Sequence, residues 1–108
     1  MKNTILLFLL SLSTSIFAQK ATVITIQTNA QCGDCKERIE TALNQSKGVV
    51  YAELNLETKV VEIKYNSKKT DVATLKKKLT LIGYDADDQK ADPIAQKALP
   101  LCCQPGGH

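Results

Sequence analysis

The sequence predicts an α+β domain of βαββαβ order, with two helices on one face of an antiparallel sheet. Three observations carry that prediction. Apolar and polar residues alternate over residues 21–28, 50–56 and 61–65, the period of a half-buried strand. Apolar residues recur at helical spacing over 35–46 and again over 72–82. Gly48 and Gly83 stand where these two helical stretches should stop, so the order runs strand, helix, strand, strand, helix.

In the first strand Ile24 and Ile26 share one face, while Val23, Thr25 and Gln27 take the other. The first helix buries Ile39, Ala42 and Leu43 and turns Lys36, Glu37, Arg38, Glu40 and Gln45 outward. Val50, Ala52, Leu54 and Leu56 then alternate with Tyr51, Glu53 and Asn55. After a turn at Glu57 and Thr58, Val61, Ile63 and Tyr65 repeat the pattern, which makes a hairpin. Residues 66–69 form a polar loop, and Thr70 is the expected N-cap of a second helix with the stripe Val72, Leu75, Leu79 and Ile82. A last strand should begin near Tyr84. Residues 84–89 are acidic and poor in β formers, so the expectation there is a short edge strand. Asp92 and Pro93 suit the N-cap and first turn of a short helix over 94–99, ended by Pro100. Residues 101–108 are expected as a flexible tail holding Cys102, Cys103 and the single histidine, His108. The layout is a ferredoxin-like βαββαβ sandwich with a short C-terminal helix and a flexible Cys-containing tail.

The chain of 108 residues holds one such domain. Its start reads as a secretory signal peptide: Met1 and Lys2 are followed by an apolar stretch, then by small polar residues leading to Ala18. The apolar stretch is short of the ~18–20 residues that span a bilayer, which disfavours a retained anchor. The expected division is 1–18 signal peptide, 19–90 folded domain, and 91–108 short helix and Cys-Cys tail, with a periplasmic or secreted location and no stable membrane insertion after cleavage. A formal charge of +3, mixed along the chain, argues against a nucleic-acid partner, and so does the absence of Trp. Lys76, Lys77 and Lys78, and the group Asp85, Asp87 and Asp88, read as solvated faces. No Ser/His/Asp set and no phosphate-cradling glycine loop is present, so the expectation is a binding protein and not an enzyme.

The chemistry lies in four cysteines. Cys32 and Cys35 stand three apart where the first strand hands over to the first helix, beside unpaired helix N–H groups that favour thiolate. A thiolate is a soft metal ligand and also a redox nucleophile, so the pair alone leaves both roles open. Local bridges within Cys32/Cys35 or within Cys102/Cys103 would close almost no loop and stabilise little, although bridges between the two pairs are possible. A soft ion such as Cu(I) or Hg(II) can be held by two thiolates, whereas Zn(II) normally takes four ligands. Asp34 either caps the helix start, the favoured role, or reaches toward a harder ion such as Zn(II).

With Cys32 and Cys35 in this loop, Gly48-Val49-Val50 before the second strand, Leu56-Glu57-Thr58-Lys59 at the hairpin and Ile82-Gly83-Tyr84-Asp85-Ala86 after the second helix, the chain resembles the heavy-metal-associated domain family. That family includes copper chaperones, metal-binding domains of heavy-metal-transporting ATPases and the periplasmic mercury-binding protein. The resemblance covers about residues 21–88. It implies metal ligation by Cys32 and Cys35, with Tyr84 packing against or gating the site. It further implies one soft ion, Cu(I) first and Hg(II) or Zn(II) after it, and a membrane metal transporter or metal-transporting ATPase as partner. The expected state is a monomer, with a metal-bridged dimer as the alternative. One position departs from the family pattern: Ala30 stands where a methionine commonly packs beneath the loop.

Thiol-disulfide exchange is the rival role, since Cys-Gly-Asp-Cys also resembles the redox motif of thioredoxin-like proteins. The hairpin directly after the first helix does not fit that fold, and Pro93, Pro100 and Pro105 all lie beyond the domain. The tail lies outside the resemblance. A last strand running ~20 Å away from the loop can be matched by the return of residues 90–102, part helix and part extended. Cys102 or Cys103, with His108 as a further candidate, would then complete a closed site of three or four ligands or hand metal to the first pair. The alternatives are a vicinal disulfide, a free tail, or a bridge to Cys32 or Cys35.

Overall fold

A computed structural model describes residues 21–106, and its sheet is built on a hairpin. Strands β2 (Val49–Asn55) and β3 (Val60–Asn66) pair antiparallel, and β1 (Ala21–Gln27) lies antiparallel on the other side of β3, giving the order β1-β3-β2. The expected alternation holds along β1 and β3. Ile26, Val61, Ile63 and Tyr65 are buried on one face, with Ile24 partly buried beside them. Asn55 makes the hairpin turn: its Oδ1 accepts from the Glu57 and Thr58 N–H groups, and its carbonyl accepts from the Lys59 N–H.

In β2 the register shifts between Val49 and Tyr51, so one extra residue is accommodated at Val50. Val49, not Val50, therefore packs against the core, and Val50 is 59% exposed. Leu56 lies past the strand end and is exposed. The expected inward positions at Val50 and Leu56 are corrected accordingly.

Helix α1 (Gly33–Asn44) buries Cys35, Ile39 and Leu43, and α2 (Val72–Leu81) buries Leu75 and Leu79. The side chains of Lys36 and Glu40, expected to face solvent, line the free edge of β2 together with that of Asn44. The Ala52 N–H donates to Asn44 Oδ1 at 3.0 Å, the Leu54 N–H to Glu40 Oε2 at 2.8 Å, and Lys36 Nζ to the Leu54 carbonyl at 2.8 Å. Lys36 also pairs with Glu40. The unpaired groups of an edge strand are thus satisfied from within the chain, which also sets how α1 lies along the sheet. The N-cap of α2 is Asp71, whose side chain accepts from the Thr74 N–H, one residue later than the Thr70 expected.

The fourth strand is reduced to a single contact. The Asp87 N–H donates to the Gln27 carbonyl and Asp87 Oδ1 accepts from the Gln27 N–H, both at 2.8 Å. Asp87 has φ 54, a left-handed conformation that turns the chain back to pair Ala86 with Gln89. A strand cannot run on through that turn, so among the described residues the sheet has three strands, with the expected fourth reduced to this edge pairing. Helix α3 (Pro93–Lys97) forms where expected, with Asp92 accepting from the Ala95 N–H and Pro93 in its first turn. Residues Leu101–Cys103, expected within a flexible tail, form a 3-10 turn whose Cys103 is 2% exposed. Among the described residues no helix is long and apolar enough to cross a membrane. The expected signal peptide (1–18) and His108 lie outside the described residues.

Candidate metal centre

Thr28 sets the path of the loop that carries the first thiol pair. This buried residue donates its N–H and its hydroxyl to the Lys59 carbonyl, and its Oγ1 accepts from the Ala30 N–H. Ala30 is fully buried, in line with the position beneath the loop that the resemblance gives it. Asn29 Oδ1 accepts from the Asp85 N–H at 3.0 Å, which binds the loop to the segment after α2. Cys32 is the N-cap residue of α1, with extended backbone and no side-chain capping bond.

The sulfur of Cys32 faces the other three. Its Sγ lies 3.4 Å from Cys35 Sγ, 3.4 Å from Cys102 Sγ and 3.7 Å from Cys103 Sγ, while Cys102 and Cys103 are 3.9 Å apart. The sulfurs of Cys32, Cys102 and Cys103 all lie within 4.8 Å of one another. All four cysteines are free thiols, at separations far beyond a disulfide bond. Cys35 and Cys103 are buried, and Cys32 and Cys102 are partly exposed. The tail thiols thus come back to the loop as the length argument anticipates, and they gather on Cys32.

The thiols differ in acidity. Burial works against ionisation of Cys32, but the Cys35 N–H and the thiols of Cys102, Cys35 and Cys103 outweigh it and bring its pKa from 9.0 to about 7. The hydrogen bond to Cys32 raises Cys102 above the usual thiol range, and burial, then the Cys35 thiol, raises Cys103. A lowered pKa means Cys32 is half ionised near neutral pH while Cys102 and Cys103 remain protonated. In the reduced, metal-free protein, iodoacetamide at pH 7 should therefore label Cys32 ahead of Cys102 and Cys103, with its rate rising through a midpoint near pH 7. Peptide mass spectrometry over a pH series reads this; labelling of Cys102 before Cys32 would contradict it.

Tyr84 approaches the cluster from below. It is 1% exposed, and its buried hydroxyl makes no hydrogen bond among the described residues. Burial first, and then the neighbouring thiols of Cys35 and Cys103, push its pKa well above the phenol range. Asp34 does not cap α1. It lies in the first turn, where Oδ2 sits 3.7 Å from Arg38 Nε and 4.0 Å from Cys103 Sγ. The capping expectation is corrected: the capping position belongs to Cys32, two residues earlier, and at that place Asp34 turns toward Arg38 and the tail. Cys32 is the common neighbour of the other thiols only because the tail folds back on it, and no local spacing in the sequence signals that.

A model of the heavy-metal-associated domain matches residues 25–85, more than half of the chain. A copper-exporting P-type ATPase of Staphylococcus saprophyticus is 44% identical over 72 residues, covering 65% of this chain and 9% of that protein. The chain therefore spans about a tenth of the length of such relatives. Among solved structures, a CopZ metallochaperone is 33% identical with a TM-score of 0.58, covering 60% of this chain and 98% of its own. The N-terminal domain of a potential copper-translocating P-type ATPase from Bacillus subtilis, in the Cu(I)-loaded state, is 29% identical with a TM-score of 0.59, covering 62% of this chain and 85% of its own. Cys102 and Cys103 fall outside the matched family span.

Proposed function

We propose, from the premise that the chain belongs to the heavy-metal-associated domain family, that it binds one soft metal ion as cargo, Cu(I) ahead of Hg(II) or Zn(II). Its role is to bind and pass on the ion, and catalysis has no part in it. Cys32 and Cys35 are the ligands at the loop, and Tyr84 packs beneath them. The observation that carries this reading is the Cys32–Cys35 pair at the start of α1, its sulfurs 3.4 Å apart, with Cys32 partly exposed and its pKa lowered to about 7. A partly exposed thiolate can take a soft ion and still be reached by the thiols of a second protein. The relatives named as copper-exporting and copper-translocating ATPases support a membrane metal transporter as the partner. The expected signal peptide supports a place outside the cytoplasm, with the protein acting there as a monomeric metallochaperone or scavenger.

Competition titration of the reduced protein with Cu(I), Hg(II) and Zn(II), beside the double variant Cys32→Ser/Cys35→Ser, tests this. Tight 1:1 uptake of Cu(I) that is lost in the variant is the expected result. Failure of the native protein to take up any of the three, together with rapid exchange of Cys32 and Cys35 with a disulfide substrate, would replace it with the redox role.

A further inference from the structure

The geometry points to a closed metal site in which the tail thiols Cys102 and Cys103 join Cys32 as ligands, occupying the place that a partner's thiols would otherwise take. This rests on the metal-binding reading above and adds to it a ligand set from outside the matched family span, residues 25–85.

Three sulfurs each about 2.3 Å from one ion stand about 4 Å apart in a trigonal plane. The sulfurs of Cys32, Cys102 and Cys103 are separated by 3.4, 3.7 and 3.9 Å, so a soft ion can be taken up with movements of a few tenths of an ångström. Cys35 lies 3.4 Å from Cys32 but outside the group of three sulfurs that are all within 4.8 Å of one another, so it neighbours this centre through Cys32. Each thiol that binds gives its proton to solvent, and the ion enters and leaves as Cu(I).

What holds the tail there does not depend on sulfur. The Asp92 N–H donates to the Thr80 carbonyl and the Ala91 N–H to Asp85 Oδ1, both at 2.9 Å. Leu99 is buried in the core against Gly83. Gly83 has φ +106, and a Cβ there would stand 3.0 Å from both the Ala95 carbonyl oxygen and Leu99 Cδ1, so this glycine is what lets α3 seat so closely. Gln104 Nε2 then donates to the carbonyls of Lys97 and Leu99, closing the turn that presents Cys102 and Cys103. The thiols are therefore positioned before any metal arrives, which lowers the entropic cost of binding. An ion held this way is shielded from a partner until the tail thiols are displaced, so the tail slows release.

The test loads the reduced full chain with one equivalent of Cu(I) and counts sulfur neighbours by X-ray absorption, with affinity and transfer rate read against a chromophoric Cu(I) chelator. The native protein should show at least three sulfurs. Cys102→Ser/Cys103→Ser should lose at least one of them, bind Cu(I) at least about tenfold more weakly and surrender it faster. Cys102→Ser alone, at a partly exposed position, should move in the same direction and guards against misfolding at the buried Cys103. An unchanged sulfur count and affinity in both tail variants would overturn the closed site. The metal-binding reading would then still stand if Cys32→Ser/Cys35→Ser loses Cu(I). If the native chain takes up no Cu(I), both fall.

Discussion

Replacing Cys32 alone by serine should cost more Cu(I) affinity than replacing any one of Cys35, Cys102 or Cys103. Cys32 is the only one of the four whose sulfur lies within 3.7 Å of all the others, at 3.4, 3.4 and 3.7 Å. A serine hydroxyl is a hard, protonated group at neutral pH and gives a soft ion little. Loss of a supporting contact at a metal site costs ~10–100-fold in affinity, so loss of this shared ligand should exceed about 100-fold. The fold itself should not suffer. Cys32 is the N-cap of α1 and makes no side-chain capping bond, and serine is a preferred N-cap residue. The thermal midpoint of the metal-free variant should therefore hold or rise while Cu(I) binding is lost. The measurement is a chelator competition on the four single variants with parallel thermal melts. If Cys35→Ser were as damaging as Cys32→Ser and the tail variants were silent, Cys32 would not be the shared centre.

The largest loss of stability is expected from Leu79→Ala. Leu79 is 0% exposed on the inner face of α2, in the core cluster with Ile39, Leu43, Leu75 and Tyr84, and its carbonyl accepts from the Tyr84 N–H. Deleting a buried leucine side chain removes its transfer energy and leaves a cavity that the surroundings fill only in part, about 2–5 kcal/mol in all. A domain this small has about 5–15 kcal/mol in total, so the change is a large fraction of it. Urea unfolding of the reduced, metal-free protein should show a midpoint lowered accordingly, with little change in slope. Cu(I) should then raise the variant's midpoint, because a ligand that binds only the folded state stabilises it by mass action. A loss below about 1 kcal/mol would mean that the packing around Leu79 relaxes into the gap.

Local pattern and tertiary contact divide the molecule between them. The order of strands and helices, the core positions Ile26, Ile39, Leu43, Val61, Ile63, Leu75 and Leu79, and the cap and proline of α3 are all legible in the chain. Each follows from spacings of two to four residues, and such spacings are a property of the sequence alone. The same holds for the placing of Cys32 and Cys35 at a strand-to-helix loop, while the heavy-metal-associated family of residues 25–85 is legible through the motifs that carry the resemblance. Contacts between distant residues decided the rest. Asp87 meets Gln27 sixty positions away and turns left-handed there, so the last strand shrinks to one pairing. Lys36 and Glu40 look like solvent-facing helix residues until β2 presents an edge that needs donors and acceptors, which they meet together with Asn44. The sulfur of Cys32 gains its central position from Cys102 and Cys103, 70 and 71 positions away. That return depends on α3 seating over Gly83, a close approach that no periodicity encodes, because it comes from the shape of two surfaces that exist only once the chain has folded.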